Sequence, residues 1–494
     1  MSMTSRPAAT ALPGQARSPQ ATPATGIIRK DLLGPARPVH EPEEMLYRTR
    51  VRISRAVWTV VFLALVGVPL LLAPGAGMEQ RPWSKGGIWV ELCMTSGLLG
   101  LSTLAATLVL PSRVKSLTRA FGIEEVLNSH RWLGLFTTLA VLAHVLFIVV
   151  DKPLNVLLLS PGDTGANRAR AGLAATLAMA LLCILSFRRK SMGTRYDVWR
   201  WVHVILAVIA LVGTYMHIFW LNHLMQDAAE RVTMLTILVG VGAVLINRWI
   251  MRPLTSMRKP YVVRETRQVS PTVTTLVLAP ARRRQKPMAY RPGQFAWIRL
   301  DSAFGPMQGN PFSIASGEDS PRNIEFTIRN AGDFTARVGQ LTPGRKVYVD
   351  GPYGSFNTDA DDADGVLLIA GGVGMAPIIS ILRSHAVRGD DRRHCLVMSA
   401  RTPDELLFGP ELDELSRELD LTVVQVVSKP PAGWRGPVGR IDKELLRMVL
   451  RREQLSDPQA LICASGPMMR DMKQALVKLG LPERKVHTEQ FDMV

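Results

Sequence analysis

The sequence predicts a multi-domain membrane protein: a six-helix transmembrane bundle, then an antiparallel β-barrel domain, then an α/β domain built on a parallel sheet. Three observations carry this reading. Six runs that approach the roughly 20 apolar residues needed for a bilayer-crossing helix follow one another in the first half. After Pro260 the pattern changes to short β-rich runs broken by Gly and Pro. From Val366 onward strands alternate with amphipathic stretches, which implies a parallel, doubly wound sheet.

Composition agrees and excludes other classes. The chain has 494 residues, 47% of them hydrophobic, with a net charge of +18 and a mean hydropathy of +0.13. A charge this basic suggests nucleic acid, but its distribution argues otherwise. Residues 1–260 hold 28 Lys/Arg against 13 Asp/Glu, and residues 261–494 hold 31 against 28. The excess therefore flanks the apolar runs, as in membrane loops, and no nucleic-acid partner is expected. The four cysteines, Cys93, Cys183, Cys395 and Cys463, lie far apart, which excludes a disulfide framework or a zinc cluster.

Residues 1–47 are rich in Pro, Ala, Thr and Arg and lack an apolar h-region, so they read as a disordered cytosolic tail. The membrane domain, 48–259, holds spans near Ser54–Ala73, Gly87–Leu110, Arg131–Val150, Ala171–Phe187, Trp199–Leu221 and Arg231–Ile250. With the N-terminus inside, the inner flanks carry 17 Lys/Arg and the outer loops 6. The positive-inside bias then places both termini in the cytosol, and the expected location is the plasma (inner) membrane. The barrel domain, 260–358, shows strands at Thr272–Leu278, Phe295–Leu300, Ile324–Arg329 and Lys346–Asp350. Residues 359–494 begin with the acidic stretch Asp359–Asp364 and continue with strands Val366–Ala370, Cys395–Ser399, Leu421–Val427, Ala460–Ala464 and Lys485–Thr488.

Four histidines sit inside the spans. His130 and His144 belong to the third and His203 and His217 to the fifth, each pair 14 residues apart. At 100° per residue, 14 steps fall about 40° short of four turns, so both imidazoles of a helix face nearly one way, roughly 21 Å apart along the axis. Both spans start at the same face. His130 and His203 therefore share one depth, and His144 and His217 another. That arrangement suits two b-type haems, each iron held by two neutral imidazoles. His223 lies six residues past His217, on another side of the helix, and reads as an outer-loop residue. Glu91 reads as an interfacial carboxylate.

The second half carries two cofactor signatures. Arg291-Pro292-Gly293-Gln294-Phe295 precedes Asn310-Pro311-Phe312-Ser313. Phe312 suits packing along an isoalloxazine, and the Ser313 hydroxyl suits a hydrogen bond near flavin N5. Gly332-Asp-Phe334-Thr335 gives a tight turn with free N–H groups and a hydroxyl, fit for a pyrophosphate. Together they point to FAD. Gly371-Gly372-Val-Gly374-Met-Ala-Pro377 follows the first strand of the parallel sheet, where glycines let a dinucleotide approach the backbone. Arg401 is placed to reach a 2′-phosphate and so favours NADPH over NADH. Ser465-Gly466-Pro467 would border the nicotinamide, and Phe491 would shield the flavin.

Taken together, these motifs resemble the ferric reductase and NADPH oxidase superfamily over residues 50–494. The resemblance implies an NAD(P)H-dependent flavocytochrome b oxidoreductase in which hydride passes from NADPH to FAD, and single electrons continue to the His130/His203 haem and then the His144/His217 haem. An acceptor outside is reduced: a ferric chelate, alternatively oxygen giving superoxide, or a membrane or periplasmic partner protein. Three positions depart from the family. Asn310 stands where His or Arg is usual, Ser465 where Cys is usual, and Ile148 where animal oxidases carry a further His.

Overall fold

The computed structural model describes residues 27–28, 41–71, 87–153, 167–189, 191–193, 196–221, 228–300, 302, 309–318, 320, 322–357 and 363–490. Strand β1 is Ile27–Ile28. The bundle follows, with α1 at Glu41–Leu71, α2 at Gly87–Val109, α3 at Lys115–Phe121, α4 at Ile123–Asp151, α5 at Asn167–Arg188, α6 at Tyr196–Leu221 and α7 at Ala228–Ile246. A π-turn at Asn247–Met251 leads into α8, Arg252–Arg258. Six of these helical segments are long and apolar enough to cross a bilayer, one for each run expected from hydropathy. The first helix begins at Glu41, inside the stretch assigned to the disordered tail.

Helix α2 packs along α4, and α5 along α6. Small residues allow close approach: Gly100 lies against Val141, and Gly213 against the Ala171 carbonyl. The outward faces present large apolar side chains such as Leu63, Trp132, Leu146, Leu177, Phe219 and Val239, as helices surrounded by lipid should.

The second unit is a six-stranded antiparallel sheet in the order β5-β4-β7-β2-β3-β6. Its strands are β2 Tyr261–Ser270, β3 Val273–Pro280, β4 Phe295–Arg299, β5 Asn310–Ser313, β6 Ile324–Arg329 and β7 Lys346–Tyr353, with helix α9 at Asp333–Val338 before β7. A bridge between Ile314 and Phe326 brings β5 back to β6 and closes the barrel. The interior is filled by Leu276, Leu278, Ile298, Ile314, Ile324 and Phe326.

The third unit contains β8 Gly365–Gly371, α10 Met375–Arg388, β9 Arg393–Ala400, α11 Gly409–Leu415, β10 Leu421–Val427, α12 Lys443–Arg452, β11 Gln459–Ala464, α13 Gly466–Lys478 and β12 Val486–Gln490. The sheet order is β1-β10-β9-β8-β11-β12. All pairings are parallel except that of β1, whose Ile27 and Ile28 oppose Val424 and Val423. These two tail residues therefore add an edge strand where the sequence suggested disorder. The strands read as continuous apolar runs because helices cover both faces.

Candidate functional site

The structure brings the four span histidines together in two facing pairs. His130 and His203 have ring centroids 6.2 Å apart, and so do His144 and His217. Each ring is oriented by a neighbouring helix. His130 Nδ1 lies 2.9 Å from the Thr107 carbonyl, His144 Nδ1 2.8 Å from that of Cys93, and His217 Nδ1 2.8 Å from that of Arg168. His203 Nδ1 lies 3.4 Å from the Ser186 hydroxyl. A carbonyl only accepts, so each of those three Nδ1 atoms carries the hydrogen, and Nε2 keeps its lone pair.

The gap fits a metal between the rings. An imidazole–metal bond of about 2.0–2.1 Å, plus about 1.1 Å from nitrogen to ring centre, puts two opposed centroids about 6.3 Å apart. His130 and His203 can hold one haem iron, and His144 and His217 a second.

Two glycines complete the outer pair, and the sequence reading passed over both. A Cβ on Gly97 would stand 2.8 Å from His144 Nδ1, and one on Gly172 2.9 Å from His217 Nδ1. Glycine is tolerated in such helices for many packing reasons, so composition does not single these out. The orienting carbonyls escaped for a simpler reason: a backbone oxygen has no residue signature.

In the barrel, Gly293 has φ +83°, and a Cβ there would run into the Phe356 carbonyl. This shapes the turn Arg291-Pro292-Gly293-Gln294. Gln294 Oε1 accepts from the Arg291 N–H at 2.8 Å, and its Nε2 donates to the Gly354 carbonyl at 3.1 Å. Phe295 departs from its expected cofactor-facing place: it is 1% exposed and packs on Tyr353 and Ile123. Its alternation along β4 turns the ring into the junction with the bundle.

Asn310, Pro311, Phe312 and Ser313 form β5 and are all half-buried. Phe312 stacks on Phe334, with centroids 5.8 Å apart and planes at 18°, which joins two segments 22 positions apart. The Thr335 hydroxyl accepts from the Ala331 N–H at 2.8 Å and donates to the Gly332 carbonyl at 2.9 Å, tightening that turn.

In the third unit, Gly371, Gly372 and Gly374 form the link from β8 to α10. Gly372 has φ +54°. A Cβ on Gly374 would run into the Cys463 carbonyl, so the turn lies flush against β11. Pro377 is buried in the first turn of α10. Ser465 stands at the position before α13, whose first residues are Gly466 and Pro467, and the Ser399 hydroxyl donates to the Met468 sulfur at 3.7 Å. Arg401 is exposed just after β9, and its N–H donates to Glu405 Oε2 at 3.3 Å. Phe491 and His223 lie outside the described residues.

One buried cluster was not foreseen. His385 Nδ1 and His394 Nε2 are 2.7 Å apart, a hydrogen-bond distance, and Asp390 Oδ2 lies 3.4 Å from His385. Burial pushes both histidines well below or below their ordinary value. They form a neutral brace between α10 and β9.

Comparison with known proteins divides the chain in the same way. Residues 96–214 match the family described as ferric reductase like transmembrane component, residues 264–357 an FAD-binding domain, and residues 368–474 an oxidoreductase NAD-binding domain. Among curated relatives, the reductase component of propane 2-monooxygenase from Rhodococcus jostii is 30% identical over 44% of this chain and 60% of its own length. NADH-cytochrome b5 reductase 1 from Cryptococcus neoformans is 29% identical over 36% and 64%. The chain thus spans under two thirds of either relative. Among solved structures, a ferredoxin reductase in carbazole 1,9a-dioxygenase aligns at 21% identity over 47% of this chain and 69% of that one, with a TM-score of 0.41. The matches give the chain a region like a ferric reductase transmembrane component, followed by an FAD-binding domain and an oxidoreductase NAD-binding domain.

Proposed function

We propose, for a chain that has the ordered architecture of the ferric reductase and NADPH oxidase superfamily, that it moves electrons from cytosolic NADPH to a ferric chelate on the outer face of the plasma membrane. The observation that carries this reading is the pair of 6.2 Å histidine gaps, each ring oriented through Nδ1. When bound, FAD would turn a hydride into single electrons and two b haems would relay them, so one NADPH yields NADP⁺, a proton and two one-electron reductions of the acceptor.

The domain division follows: 48–259 for the haems, 260–358 for FAD and 359–494 for the nucleotide. His130 and His203 hold the inner haem, His144 and His217 the outer one. The Thr107, Cys93 and Arg168 carbonyls aim His130, His144 and His217, and the Ser186 hydroxyl lies beside His203, so that Nε2 of each ring is left for a metal. Phe312 supports the flavin ring and Ser313 offers its hydroxyl near the hydride-accepting atom. The Gly332–Thr335 turn and the Arg291–Gln294 loop hold the FAD phosphates and backbone. Gly371, Gly372 and Gly374 admit the nucleotide pyrophosphate, Arg401 pairs with a 2′-phosphate, and Ser465 with Gly466 and Pro467 borders the nicotinamide. The inward positive charge of the loops supports cytosolic termini.

The purified protein should show a haem Soret band and, with NADPH, reduce ferric chelate in the presence of superoxide dismutase. Absence of the Soret band overturns the haem assignment. Cytochrome c reduction abolished by superoxide dismutase, with no chelate reduction, replaces the ferric acceptor by oxygen. Failure of both acceptors beside an intact NADPH-driven haem reduction points to a partner protein.

A further inference from the structure

A buried carboxylate joins the bundle to the barrel. Asp350, on β7, is 9% exposed, and Arg113, just after the end of α2, is 5% exposed. Arg113 Nη1 lies 3.7 Å from Asp350 Oδ2, and Arg252 Nη1, at the start of α8, lies 3.5 Å from Oδ1. The Tyr353 hydroxyl donates to the same Oδ1 at 2.8 Å and itself accepts from Arg252. Lys115 donates to the Gly351 carbonyl, and Ser256 to that of Val349 at 3.3 Å. The Arg113 guanidinium covers the Trp297 ring.

Asp350 is a shared counter-charge: it favours the charged forms of Arg113, Lys115 and Arg299, each of which burial disfavours as a cation. Burial alone would raise its own carboxyl, yet Arg113, Arg252 and Tyr353 together hold it below the ordinary value. Removing one partner of such a group leaves uncompensated buried charge, which is far costlier than losing an exposed pair.

The clamp also lies close to both sides of the proposed flavin-to-haem step. Across the sheet Asp350 is in register with Trp297, and Trp297 with Pro311, so β5 stands two strands away, about 9–10 Å. On the other side Arg113 follows six residues after Thr107, whose carbonyl orients His130.

We propose that Asp350, through Arg113 and Arg252, seats the barrel on the bundle and so fixes the flavin strand β5 relative to the His130/His203 pair: a positioning residue for electron transfer between the domains. This rests on the functional reading above.

The test uses the full-length holoprotein in nanodiscs. NADPH-driven reduction of the Soret band reports transfer into the bundle, and NADPH turnover with ferricyanide, taken up at the flavin, reports the soluble half. In Asp350→Asn, haem reduction should slow at least about tenfold while ferricyanide turnover stays within about twofold. Asp350→Glu should restore most of the rate. Arg252→Met should reproduce the defect, and the double variant should be no slower than Asp350→Asn alone. Hydrogen exchange at Lys115–Phe121 and Lys346–Tyr353 should rise together in Asp350→Asn and not in Asp350→Glu. Wild-type haem reduction in Asp350→Asn overturns the clamp, as does an equal loss of both turnovers that Glu does not rescue. A wild-type protein without a Soret band overturns the functional reading instead.

Discussion

His144 and His217 face each other edge to face at 83°, while His130 and His203 keep the same 6.2 Å separation with their rings tilted by 54°. The two gaps are thus equal although the ring angles differ. Each Nδ1 contact turns its ring independently.

It follows that the two sites should be separable. His144→Ala should remove about half of the haem per chain, as measured by pyridine haemochrome, and leave a band that dithionite still reduces. His130→Ala should remove the other half.

Gly97→Ala should resemble His144→Ala more than an ordinary helix substitution. Alanine favours helix by up to about 1 kcal/mol over glycine, yet its Cβ would collide with the imidazole at 2.8 Å. Haem content should fall at the outer site alone, and Gly240→Ala, with open space around its Cβ, should change nothing.

Gly374→Ala should disturb the nucleotide domain because the methyl would overlap the Cys463 carbonyl. Overpacking of this kind costs about 1–3 kcal/mol. A lower melting temperature and a raised KM for NADPH are the expected signs, with the haem spectrum unaltered.

The buried His385–His394 pair should make the nucleotide domain acid-sensitive. Both pKa values are lowered in the fold from the ordinary 6.5. Below about pH 6.5 the unfolded chain therefore takes up protons that the folded pair refuses, and stability falls as pH falls, by up to about 1.4 kcal/mol per pH unit per histidine. Above pH 6.5 the pair contributes no slope. Melting curves between pH 7.5 and 5.5 should show this, and His394→Gln should flatten the dependence.

Arg401→Ala should lower the ratio of kcat/KM for NADPH over NADH about tenfold, the worth of one charged hydrogen bond to a phosphate. Steady-state kinetics with both nucleotides checks it, and an unchanged ratio would remove Arg401 from the site.

Much of this was legible in the residues. Six spans followed from runs of apolar side chains, because lipid demands about 20 of them in a row whatever the neighbours do. The parallel sheet followed from buried strands such as Val366–Ala370 alternating with amphipathic stretches, and the 14-residue spacing put each helix's histidines on one face. Those are properties of a segment by itself. Tertiary structure decided the rest. Which carbonyl orients His130, His144 and His217 depends on how α2 and α5 are rotated against their partners, and backbone oxygens are the same at every residue. Phe295 looked like part of a cofactor loop and proved to be core, since only the placement of α4 against β4 says what lies beyond its ring. Asp350 read as the end of a strand; Arg113, past the end of α2, and Arg252, on α8, brought to it by docking, made it the centre of the junction.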